Sequence, residues 1–160
     1  MDTSTKRAYA KLNLTLGVLY KRADGYHALD SIMQTIDLFD TVTVERARDI
    51  VVTSTGMLLP YDNTVRRAAE LYRALTGRSV QIRVVKRIPA EAGLGGGSAD
   101  AAATLNALQE LYGEVDEKTL LEIAAKVGAD VPFCLKGGTQ RAEGIGEVLT
   151  PVRGMKLHLV

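Results

Sequence analysis

Four groups of residues in this 160-residue chain could do chemistry, and their types narrow what that chemistry is. The most concentrated is Pro89-Ala90-Glu91-Ala92-Gly93-Leu94-Gly95-Gly96-Gly97-Ser98-Ala99-Asp100. Glycines placed between a strand and a helix permit positive φ and let backbone N–H groups approach an anion closely. The helix that follows adds unpaired N–H groups and the positive end of its dipole. Ser98 is placed either to cap that helix or to offer its hydroxyl to a phosphate or its metal. The plainer alternative is a flexible loop, or glycines that relieve crowding beneath an alanine-rich helix. Four glycines in five residues favour the phosphate. A Walker loop is excluded because no lysine precedes Ser98. A dinucleotide fingerprint is excluded because Ser98 stands where its last glycine is required.

The second group is Ala10-Lys11-Leu12-Asn13-Leu14. On a strand, period-two geometry puts the leucines on one face as core, with an ammonium and an amide side by side on the other. That polar face is either simply solvated or a substrate surface. The third is Gly128-Ala129-Asp130-Val131-Pro132-Phe133, an acid in an apolar, turn-like segment that reads as a helix cap or as a catalytic carboxylate. In the fourth, Arg22-Ala23-Asp24-Gly25-Tyr26-His27, the last two side chains could stack on and hydrogen-bond a base, or close the edge of a sheet.

The elements that must position these residues are legible from periodicity. Residues 8–20 alternate as a strand, Lys21–Gly25 turns, and an extended stretch carries Leu29, Ile32, Ile36 and Leu38. Residues 41–44 and 50–53 are β-branched runs, so residues 1–55 read as several antiparallel strands. Asp62-Asn63 opens a helix to about Thr76, stopped by Gly77. Val80, Ile82 and Val84 alternate in the strand that leads into the glycine loop. Ser98 begins an alanine-rich helix to about Tyr112, and Asp116 caps another to about Val127. Residues 128–138 form a turn or short helix, residues 139–142 and 147–149 pair as strands, and Lys156–Val160 starts another strand. The fold class is α+β, with a strand-rich first part followed by helices.

Composition bounds the rest. Twenty basic against nineteen acidic residues leave a net charge of +1, which argues against nucleic acid and a polybasic membrane surface. Hydrophobic residues make up 46% of the chain, ample for one core. The single cysteine, Cys134, precludes an internal disulfide, and two histidines would leave a metal site resting mainly on carboxylates. The N-terminal apolar stretch is broken by Lys11, Asn13 and Thr15, so it reads as a strand and not as a signal core, and a cytoplasmic location is expected.

Taken in order, these segments together with Asp62-Asn63 resemble the GHMP kinase superfamily. Within it they resemble the branch that acts on 4-diphosphocytidyl-2-C-methyl-D-erythritol, and the resemblance spans nearly the whole chain. It implies ATP-dependent phosphorylation of the substrate's 2-hydroxyl, with Mg²⁺, in isoprenoid precursor synthesis, and a left-handed βαβ unit against the usual rule. Carried over position by position, Ala90, Glu91, Ala92, Gly93, Leu94, Gly95, Gly96, Gly97, Ser98, Ala99 and Asp100 hold the ATP phosphates. Lys11 and Asp130 are the catalytic pair, and Ser98 is the candidate for Mg²⁺. Lys11 and Asn13 approach the substrate, Tyr26 and His27 bind its cytidine, and Met33 packs against the base ring. Relatives carry a second, C-terminal domain. Residues 1–160 are therefore expected to be the N-terminal half, with weak nucleotide binding, little turnover and self-association through the face the second domain would cover. The rival expectations are a nucleotide-binding module without turnover and another small-molecule kinase of homoserine or mevalonate type.

Overall fold

The computed structural model describes residues 2–158, which form one mixed sheet with helices packed on one face. Strand β1 (Thr3–Lys21) and strand β2 (His27–Ala47) make a long antiparallel hairpin, closed by the turn in which Arg22 N–H donates to the Tyr26 carbonyl. Strand β3 (Val51–Thr55), helix α1 (Thr64–Thr76) and strand β4 (Ser79–Val85) follow, with β3 and β4 paired in parallel through α1. Helix α2 (Gly96–Tyr112) is next. Helix α3 (Glu117–Val127), helix α4 (Val131–Lys136) and the hairpin of β5 (Thr139–Gly144) and β6 (Val148–Pro151) complete the chain.

The sheet order is β3-β4-β2-β5-β6, with β1 on the other edge of β2. Strand β2 therefore serves two partners along one edge: β4 pairs with residues 41–47 and β5 with residues 29–34. Residues 36–40 lie in the gap between them, and the site described below is built around that gap. The expectation of antiparallel strands throughout residues 1–55 holds for β1 and β2. Strand β3 departs from it because the crossover through α1 returns the chain alongside β3 in the same direction. The runs at 29–38 and 41–44 are one continuous strand.

Alternation in β4 explains the layering. Val80, Ile82 and Val84 are buried against helices, whereas Gln81 and Arg83 face solvent. Helix α2 lies against β1 and β2 and is also covered by α1, α3 and α4, so it is buried on nearly every side. Ala99, Ala101, Ala102, Ala103 and Ala107 allow that close approach, because a methyl group keeps neighbouring backbones near. Helix α1 begins where Asn63 accepts a hydrogen bond from Arg66 N–H and ends at Gly77, whose φ of 75° suits glycine. Asp116 caps α3 in the same way, through Thr119 N–H. Residues Lys156–His158 carry no regular structure, contrary to the expected strand, and the rest of that segment, Leu159 and Val160, lies outside the described residues.

Candidate phosphoryl-transfer site

The site begins with an irregularity in β1. Strict alternation from the buried Ala8 and Ala10 would turn Lys11 outward with Tyr9. A register shift between Tyr9 and Lys11 instead turns Ala10 and Lys11 inward in succession. Lys11 is consequently only 7% exposed, and Leu12 and Leu14 are half-buried on the other face. The expected arrangement of leucines in the core and Lys11 on an open face is thus reversed.

Lys11 ends among oxygens. Its Nζ donates to Asn13 Oδ1 at 2.6 Å and lies 3.2 Å from Asp130 Oδ2. Asn13 Nδ2 in turn donates to Ser31 Oγ at 2.7 Å, and Ser31 donates to the Thr15 carbonyl at 2.6 Å. This chain of bonds fixes Asn13 as firmly as Lys11. Asp130 occupies the N-cap position of α4, yet its side chain makes no capping bond. Its carboxylate instead faces Lys11, so its side chain does not serve as the cap.

The glycine loop sits directly on this pair. Lys11 N–H donates to the Leu94 carbonyl at 2.9 Å, tying the loop to β1. Gly95 has a φ of 69°, and a Cβ there would press on the Lys11 stem at 3.0 and 3.1 Å, so glycine is strongly favoured. Helix α2 starts at Gly96, two residues before the expected Ser98, with Gly95 at the N-cap and no side chain capping it. Ser98 is therefore not the cap. It lies within the first turn, half-exposed, where its hydroxyl is free to face a ligand. No acidic residue occupies that turn, which leaves the positive end of a 17-residue helix open to an anion.

Residues Ala90–Ser98 line a cleft of about 390 Å³ whose other wall is Met57, Leu59, Thr64, Lys86 and Ile88. Thr64 Oγ1 donates to the Gly97 carbonyl at 2.6 Å and so joins the start of α1 to the loop. This mix of apolar wall and backbone donors suits a base attached to phosphates. Ala99 and Asp100 belong to the predicted loop but not to its lining. Both are buried beneath it, and the Asp100 carboxylate turns inward to Lys86 Nζ at 2.7 Å. Burial pushes the Asp100 carboxyl up to about 7, although its bond from Lys86 acts in the opposite direction. Cys134, on α4, is pushed up to about 12 by burial and by the nearby Asp130, which leaves it an unreactive thiol.

Two predicted substrate contacts lie elsewhere. Tyr26 is 62% exposed and His27 is exposed at the tip of the β1–β2 hairpin, opposite Lys21. That position is ten residues along β1 from Lys11, beyond register shifts at Asn13/Thr15 and Val18/Tyr20 that bend the strand. Met33 is only 2% exposed and packs with Phe133 and Ala142 in a small second core. The structure therefore does not bring Met33 to a surface where a base could stack. It pairs with Asn13 in register, and the α4 side of the sheet closes over it.

Sequence reasoning missed Asp40, Ser31, Thr64 and Lys86. Asp40 lies inside a long strand and Lys86 begins a short charged pair with Arg87 after β4, and nothing local to either marks them. The β2–β4 register, in which Thr41 pairs with Val85, sets them opposite each other just where β4 leaves β2.

A glycine loop that opens a buried helix, seated on a strand lysine that faces an acid at the next helix start, defines a class. Residues 63–138 match the GHMP kinases N terminal domain, and the sheet and helices have that fold. Among its relatives is the 4-diphosphocytidyl-2-C-methyl-D-erythritol kinase of Caldanaerobacter subterraneus subsp. tengcongensis, 46% identical over 96% of this chain and 55% of the relative. Its counterpart in Caldicellulosiruptor saccharolyticus is 47% identical over 92% of this chain and 53% of the relative. A crystal structure of 4-(cytidine 5'-diphospho)-2C-methyl-D-erythritol kinase superposes with a TM-score of 0.79 at 44% identity, covering 93% of this chain and 55% of that one. The chain spans about half the length of the curated relatives it matches.

Proposed function

We propose that this chain supplies the nucleotide-binding and catalytic half of a kinase that transfers the γ-phosphoryl group of ATP to the 2-hydroxyl of 4-diphosphocytidyl-2-C-methyl-D-erythritol. The observation that carries this reading is the contact of three parts at one point. Lys11 touches Asp130 through its ammonium, Gly95 through its stem and Leu94 through its backbone. The acid, the cation and the phosphate loop are thereby held in fixed relation, and the names of the relatives supply the substrate class.

Phosphoryl transfer asks a protein mainly for positioning and charge stabilisation. Asp130 accepts the proton of the attacking hydroxyl, and Lys11 keeps Asp130 ionised and orients the hydroxyl oxygen. Asn13, held by Ser31, hydrogen-bonds the polyol beside it. The open N–H groups of Gly96, Gly97 and Ser98 offset charge on the transferred group. Mg²⁺ would supply further charge neutralisation when bound with the nucleotide, and the Ser98 hydroxyl in the first turn of α2 is the residue that fits it. Tyr26 and His27 hold the cytidine from the hairpin tip, and Met33 is left out because it is core. Both substrates are water-soluble nucleotides, which supports a cytoplasmic setting.

The test is phosphate transfer from ATP to the cytidylated polyol, run beside homoserine and mevalonate as competing acceptors. Transfer to the cytidylated polyol alone supports the reading. Preference for either other acceptor sinks the substrate assignment, and nucleotide binding without transfer to any of them marks a binding module.

A further inference from the structure

The cleft has a lysine at its wall, and the obvious role for it, a direct phosphate ligand, does not fit its surroundings. Lys86 has a side chain only 5% exposed, and its Nζ contacts Asp40 Oδ2 and lies 2.7 Å from Asp100 Oδ2. Two of its three donors are spent on carboxylates that are themselves buried, Asp40 at 0% and Asp100 at 1% exposure.

These contacts fall at the two ends of one segment. Lys86 is the first residue after β4, and Asp100 is in the second turn of α2, so their ion pair closes the glycine loop at its base. Asp40 stands in β2 beside the point where β4 peels away. Its Oδ1 accepts the N–H groups of Arg87 and of Ile88, the latter at 2.8 Å, in place of the lost strand pairing. Gly96 rests on this assembly, for a Cβ there would meet Ile88 Cγ2 at 3.1 Å and Lys86 Nζ at 3.4 Å.

We propose that Lys86, gripped between Asp40 and Asp100, is the positioning residue of the glycine loop, fixing the N–H groups at the start of α2 where a triphosphate needs them. The inference rests on the nucleotide reading of that loop and adds a group that the reading does not use. A purely stabilising role explains the cluster poorly. It buries two acids against one base and leaves Asp100 Oδ1 without a hydrogen-bond partner, and both features cost stability. Its geometric effect is specific. A Cβ at Gly95 would press on the stem of Lys11, and one at Gly96 on Ile88 and then the ammonium of Lys86, so consecutive residues leave room only beside two lysines held by acids on different elements.

The test is calorimetric titration of this chain with Mg²⁺ and β,γ-imido-ATP, alongside amide hydrogen exchange. Asp100→Asn keeps the side chain's shape and removes its charge. It is expected to weaken the nucleotide by about 10- to 100-fold, the scale on which small displacements of positioning groups act. Exchange should quicken at Ala99–Ala103, in the first turns of α2, and stay unchanged in α3. Unchanged affinity overturns the proposal, as does a loss accompanied by faster exchange throughout, which marks general loosening. Asp40→Asn, which keeps an oxygen for Arg87 and Ile88, gives the same comparison if Asp100→Asn does not fold. An unsubstituted chain that binds no nucleotide overturns the loop reading and this inference with it. Normal binding by the unsubstituted chain and both variants overturns the inference alone.

Discussion

The two ends of the long β1–β2 hairpin are built differently. Where Lys11 and Asp40 lie, the sheet is covered by helices, the polar groups are buried and paired, and the glycine loop is pinned from two sides. Toward the tip, Leu16, Val18, Leu19, Tyr20 and Tyr26 are exposed, and β1 pairs only with β2 among the described residues. On the proposed function the packed end holds the reacting groups, whose geometry tolerates little movement. Recognition of a base can be completed by the ligand itself, whose ring covers side chains that are otherwise open.

The largest expected effect breaks the packed end. Lys11→Ala or Asp130→Asn should lower turnover at saturating ATP and cytidylated polyol by about 10²- to 10⁴-fold, with nucleotide binding much less affected. Near-normal turnover in either variant would remove that residue from the mechanism.

Next is the loop. Gly95→Val places a branched side chain at positive φ against the Lys11 stem, and Gly96→Val drives one into Ile88. Either should weaken ATP by about 10- to 100-fold in calorimetric titration. Equal loss for the cytidylated polyol would indicate that the frame itself had failed.

A pH series sharpens the contrast through stability. The Asp100 carboxyl sits at about 7 in the folded protein, against 3.8 for an ordinary aspartate. Between about pH 4 and 7 the folded state therefore holds a proton that the unfolded state has released, and stability falls as pH rises through that window. Thermal unfolding of the unsubstituted chain should show this decline, and Asp100→Asn should lose that part of it. Parallel profiles for the two chains would contradict the assignment.

The smallest structural effect is expected at the tip. Tyr26→Ala or His27→Ala should weaken the cytidylated polyol by about tenfold and leave ATP affinity and the unfolding midpoint unchanged. Self-association, expected through the face a second domain would cover, is read by sedimentation over a concentration series as a rising mass. A constant monomer mass would remove that expectation.

The contrast also shows what the sequence makes legible. Helix α1, with Asn63 and Gly77 at its ends, and α3, with Asp116, follow from local capping chemistry, so their bounds are readable. The glycine loop is readable because its composition has few other uses. Lys11 could be singled out as a strand lysine, but its burial could not, because a register shift in β1 depends on how β2 bends. Asp40 and Lys86 were illegible for a related reason. Their meaning comes from β2 exchanging one partner strand for another, a tertiary event with no local signature. Met33 shows the converse: register placed it beside Asn13, while packing against Phe133 made it core.

The central claim is that nucleotide phosphates bind the glycine loop at the start of α2, next to Lys11. Amide chemical shifts of the chain, followed by NMR during titration with Mg²⁺ and β,γ-imido-ATP, test it most directly. Saturable shifts are expected, largest at Gly95, Gly96, Gly97 and Ser98, with little change at Tyr26 and His27. Shifts that are largest at the hairpin tip, or none at the loop at saturating nucleotide, would contradict it.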